Sequence, residues 1–111
     1  MSILIAQKLA EEIALLIHDF INKVKVYFND NTEKEIESII KNQTHDSENK
    51  KYIVSFVFTL NLEEAKSIAK IEYYYDDGTE RLLILSRDDL ALNIGSGITA
   101  ITHQISVSYQ V

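Results

Sequence analysis

Three side chains in this 111-residue sequence can change charge near neutral pH: His18, His45 and His103. His18 falls on the polar strip of an N-terminal helical pattern and His45 in a polar segment, both ordinary solvated positions. His103 differs, because it takes an apolar-side position in a stretch where apolar and polar residues alternate. Burial there would push its pKa down and leave an imidazole suited to general-base or pH-sensitive work. Catalysis would also need a nucleophile or a second acid–base group. The sequence identifies neither beside His103, and without Cys there is no thiolate. The simpler role is an imidazole at the sheet margin, bonded to the backbone or to a tyrosine. The chemical alternative is a small-molecule-binding or catalytic pocket between helix and sheet near His103, using the nearby tyrosines.

The other candidate groups have structural explanations. Asp76-Asp77, Asp88-Asp89 and His45-Asp46 invite a metal, but adjacent strand residues point to opposite faces. Asp77 suits a turn and Asp89 a helix N-terminus, and neither EF-hand nor His-Glu-x-x-His spacing occurs. No metal and no cofactor is expected. Gly95-Ser96-Gly97 precedes a strand and is followed by no Lys or Arg, so it is a turn and not a phosphate loop. Tyr73-Tyr74-Tyr75 alternates across a strand, which places Tyr73 in the core. Tyr74 and Tyr75 remain as contact residues for a protein partner.

The sequence carries 17 acidic and 11 basic side chains, a net charge of −6. Nucleic-acid affinity and attachment to anionic membranes rest largely on Lys and Arg, so neither partner fits. A basic protein surface is the favoured complement. The apolar stretch Met1–Ile21 has Lys8, Glu11 and Glu12 inside it, which argues against a secretory signal and a membrane span. A reducing cytoplasm is the expected location.

The elements that must position these groups follow from periodicity. One domain, 1–111, suits the length. Ser2–Asn22 reads as a helix, with Ala6, Leu9, Ile13, Leu16 and Phe20 in one stripe widened by Ala10, Ala14, Ile17 and Ile21. So wide an apolar surface predicts a mostly buried helix, Leu16 included. It would pack on a sheet and also on another helix of the chain or another subunit. Val24–Phe28 reads as a short strand or as a frayed extension of the helix. Thr32 and Glu35 resemble a capping box opening a helix that ends near Lys41, followed by a mobile polar loop at Asn42–Lys50. Tyr52–Leu60 is the expected central strand. Asp77-Gly78 predicts a two-residue hairpin joining Ile68–Tyr75 to Thr79–Leu85, with paired positions summing to 155. Arg81 would then stack over Tyr74. Short helices are expected at Leu62–Lys66 and Arg87–Asn93. Together these predict an α+β fold: a long N-terminal helix packed on a mainly antiparallel sheet of four to five strands, in two layers.

The last 22 residues, Leu90–Val111, contain no Asp, Glu, Lys or Arg. Within them Ile101, His103, Ile105, Val107, Tyr109 and Val111 alternate with Thr102, Gln104, Ser106, Ser108 and Gln110, a strand with an apolar and an uncharged polar face. Exposed edge strands usually carry charges, Pro or bulges that block pairing. This strand has none, so it is central, covered or paired with a partner. The missing catalytic constellation, this strand and the over-wide helix predict a non-enzymatic protein–protein interaction module. Its specific form would be a small acidic inhibitor or immunity-type protein binding a basic site. The expected assembly is a homodimer or hetero-complex through the C-terminal strand, with Thr102, Gln104, Ser106, Ser108 and Gln110 at the interface.

Overall fold

The computed structural model describes residues 3–110. One helix, α1 (Ile3–Phe20), leads into eight strands: β1 (Lys23–Phe28), β2 (Glu33–Ile36), β3 (Ile40–Asp46), β4 (Lys51–Leu62), β5 (Lys66–Asp76), β6 (Arg81–Arg87), β7 (Leu92–Ile94) and β8 (Gly97–Ser108). The fold is α+β with antiparallel pairing throughout, as the periodicity predicts, but the strands divide between two sheets. One has the order β2-β1-β5-β6, with β7 also on β5; the other is β3-β4-β8. β4 is the central strand of the smaller sheet. Its Tyr52, Val54, Phe56, Phe58, Leu60 and Leu62 are all buried.

α1 packs on the β3-β4-β8 sheet. The face that docks carries Ala10 and Ala14, with Ala6 and Ile17 at its margin and Ile21 buried just past the helix end. Alanines let the helix backbone approach the sheet closely. The bulkier stripe beside them stays outside: Leu16 is 56% exposed, and Ile5, Leu9, Ile13 and Phe20 are also exposed. This corrects the expectation of a mostly buried helix. Among the described residues there is no second helix to cover the stripe.

The sheets meet through β5. Tyr73 is fully buried, its ring 5.4 Å from Phe56 on β4 and its hydroxyl on β8's His103. Ile68 and Ile71 of β5 join Val24 and Val26 of β1 in the same core.

Five local expectations are overturned. Residues 33–36 form β2, because Thr32 turns back to Asp30 instead of capping a helix. Glu33 and Glu35 then reach across the sheet to Lys25 and Arg81. The supposed loop at Asn42–Lys50 is largely β3, paired with β4 from Ile40 opposite Val57 to Asp46 opposite Lys51. Neither short helix forms: β4 continues to Leu62, and residues 87–93 run from the end of β6 through a bend at Asp89 into β7, tied to β5 by Leu90 N–H donating to Ala69 O at 2.9 Å. The hairpin loop has four residues, since Asp76 pairs with Arg81, and a bulge after Tyr73 shifts the register again. Asp77 accepts from the backbone N–H groups of Thr79 and Glu80, an Asx-type turn that the two-residue pattern did not foresee. Arg81 still lies over the Tyr74 ring, at 5.3 Å.

Candidate functional site

β8 pairs with β4 along its whole length, from Gly97 opposite Leu62 to Ser108 opposite Lys51. No strand of the described residues pairs with its other side. The question left by the sequence is thereby answered: the tail strand is an edge, twelve residues long and uncharged. Thr102, Gln104, Ser106 and Ser108 are all exposed on one face, while Ile101, His103, Ile105 and Val107 turn inward. Gln104 donates to Ser55 on β4 at 3.3 Å. Gln110 is exposed but lies past the strand's end, and Val111 is outside the described residues.

His103 is half-buried, and its Nδ1 lies 2.8 Å from the Tyr73 hydroxyl. Burial pushes the Tyr73 phenol far above its ordinary pKa, so the phenol keeps its proton while it shares a hydrogen bond with Nδ1. Burial, followed by the nearby Arg87 charge, holds His103 below the usual histidine pKa. A tyrosine partner at a sheet margin is the simpler of the two roles weighed for this residue.

Beside His103 lies a hollow of about 240 Å³, lined by Ile71 and Arg87, by Leu90 and Leu92, and by the run Ile101–Gln104. It sits between β8 and the larger sheet, not between helix and sheet. Successive strand residues face opposite ways, so a hollow lined by four in a row lies along the strand's side. That side is the unpaired one.

The expected tyrosine contacts separate. Tyr74 is half-buried, donating to Glu72 at 2.6 Å beneath Arg81. Tyr75 meets Phe20 edge-on at 5.3 Å, at one end of the exposed helix stripe. The acidic side chains are absorbed by structure. Asp76 accepts from Gly78 N–H, Lys23 and Arg81, which hold its pKa down at about 2. Asp88 accepts from Ser86. Asp89 has no helix to cap and adopts φ 54°. Among the described residues no three His, Asp or Glu converge as metal ligands.

Sequence reasoning placed His45 in a solvated loop; the structure leaves it exposed but sets it on β3, stacked on Tyr52 at 4.3 Å with Nε2 2.7 Å from the Tyr109 hydroxyl. Gln7 of α1 donates to Tyr52 at 3.2 Å, so this polar cluster seals the helix against the sheet. Reading residues 40–46 as a strand would have set His45 opposite Tyr52.

No family model, curated protein or solved structure matches this chain. Its function rests on geometry alone. No helix among the described residues is long and apolar enough to cross a membrane.

Proposed function

We propose that this chain is a non-enzymatic protein–protein interaction module that takes its partner along the open side of β8. The observation that carries the reading is a twelve-residue edge with no charge, Pro or bulge to block a further strand. Strand addition draws its affinity from main-chain hydrogen bonds, and hydroxyls and amides cost less to desolvate than charges. The exposed stripe of Ile5, Leu9, Ile13, Leu16 and Phe20 supplies a second apolar contact surface. A net charge of −6 speeds encounter with a basic partner, consistent with a small acidic inhibitor or immunity-type protein.

The alternative, a ligand-binding or catalytic domain using His103, draws on the hollow beside that residue. At about 240 Å³ the hollow is smaller than the ~300–1,000 Å³ usual for ligand sites. Tyr73 already occupies one nitrogen of the imidazole.

Ser106→Lys tests the interaction reading, since it sets a charge on the exposed face of the edge strand. The expected outcome is a homodimer that the lysine dissociates in sedimentation velocity, or a specific partner captured by wild type and lost by the variant. Assembly with an identified partner that is indifferent to the lysine would overturn it.

A further inference from the structure

Arg87 stands apart from the chain's other arginine. Arg81 is held by Glu35 at 2.6 Å and Asp76 at 3.0 Å, whereas no ion pair is found for Arg87 among the described residues. It is exposed, it lines the hollow on the open side of β8, and its charge reaches His103. His103 presents the second polar group: Tyr73 engages Nδ1, and among the described residues no hydrogen bond is found for the other ring nitrogen. Around them Ile71, Leu90, Leu92 and Ile101 are apolar. A guanidinium outside any ion pair, with an imidazole lining the same hollow, is the chemistry that receives a carboxylate.

The strand geometry decides where that carboxylate would come from. In an antiparallel pair, residues directly opposite each other point to the same face of the sheet. A residue of an added strand set opposite His103 would therefore point with it, between the sheets and into the hollow. Residues two positions away on either side, opposite Ile101 and Ile105, would point the same way, the first against the apolar wall. A second copy of β8 cannot supply this pattern, because residues 90–111 contain no Asp or Glu.

We propose that the hollow is the specificity subsite of the β8 edge, and that it reads a strand of a different protein carrying one acidic side chain opposite His103, between apolar residues at the second position on each side. The inference rests on strand addition at β8 and adds the identity of the incoming segment. It is compatible with an overall basic partner, since only one position of the strand must be acidic.

The test is an NMR titration of the isotope-labelled full chain. The probe is an acetylated, amidated heptapeptide, Thr-Val-Thr-Glu-Thr-Val-Thr, set against the same peptide with Gln at its centre. The Glu peptide should shift the backbone amides of 101–105 and the Arg87 side-chain N–H. It should bind about tenfold tighter than the Gln peptide, a gap narrowed by added salt. Arg87→Gln should abolish that difference while leaving the residual strand pairing. Arg87→Lys, which keeps the charge but not the fork, should retain part of it. Equal binding of the two peptides at β8 would overturn the carboxylate subsite and leave strand addition standing. Failure of both peptides to shift the β8 amides at millimolar concentration, or tighter Glu binding elsewhere on the chain, would overturn the proposal. The Ser106→Lys assembly assay judges the broader reading independently.

Discussion

Truncating Phe56 and Leu16 to alanine, one at a time, tests which side of α1 faces the core. Phe56 is fully buried on β4, opposite His103 on β8 and Lys41 on β3, with its ring 5.4 Å from Tyr73. A phenylalanine of ~200 Å² at ~25 cal/mol per Å² gives an upper bound of ~5 kcal/mol. Compact denatured chains lower that figure and the residual cavity raises it, so Phe56→Ala should lose about 3–5 kcal/mol. Leu16 is 56% exposed, hence 44% buried. Scaling the ~1.5–3 kcal/mol of a fully buried leucine by that fraction leaves roughly 1 kcal/mol, and less once the retained Cβ is subtracted. Urea denaturation followed by circular dichroism measures both losses, and a dilution series shows whether either depends on self-association. Equal losses of several kcal/mol, independent of protein concentration, would refute the assigned docking face. A Leu16→Ala loss that appears only at high concentration would instead place the stripe in an interface between copies.

Gly78 adopts φ +89° with open space around its would-be Cβ, so Gly78→Ala and Gly78→Val should cost ~1–2 kcal/mol through backbone strain and not through a clash. Retained stability of the valine variant in the same denaturation assay would argue against that turn conformation. Asp76, with a folded pKa of about 2 against an ordinary 3.8, contributes stability present above about pH 4 and lost as pH falls towards 2. Denaturation of Asp76→Asn should show less stability than wild type at pH 6 and a weaker acid dependence below pH 4. His103 has a lowered pKa, so the unfolded chain binds its proton first and stability falls as pH drops below about 6.5. His103→Gln should flatten the curve between pH 7 and 5, and an unchanged slope there would count against a buried neutral imidazole.

The parts of the fold legible in the sequence are those where one strong period meets one buried face. α1, β1, β4 and β8 are of this kind; Val24, Val26 and Phe28 of β1, for example, alternate and are all buried. The failures lie where polar residues form strands. β2 and β3 contain little beyond charged and amide side chains, and their state is set by pairing to β1 and β4, not by local propensity. The same competition defeated the capping box at Thr32 and the helix at Arg87–Asn93. In each case a side chain turned into a nearby loop, Thr32 to Asp30 and Ser86 to Asp88, while neighbouring backbone joined a sheet. The hairpin error had a subtler origin. Asp77-Gly78 does mark the turn, but the Asp77 side chain binds the N–H groups two and three residues on and widens the loop to four.

The docking face of α1 and the role of Arg87 were hidden for a common reason: each depends on what is absent next to it. Hydrophobicity made Leu9, Leu16 and Phe20 look like the core stripe, yet the side buried against the sheet is the one that carries Ala10 and Ala14. Among the described residues the larger side chains then have no second helix against which to bury, so an apolar surface is left that a partner must cover or water must tolerate. Arg87 carries no signal in the sequence, being one charge in a mixed chain. Its meaning arises only because β6 ends beside the unpaired side of β8, where no carboxylate of the described residues reaches it. Of the two devices that could occupy that edge, a second β8 satisfies the backbone but leaves the guanidinium unmatched. A foreign strand with a single acid satisfies both, which is why the peptide pair differing only in Glu and Gln discriminates between them.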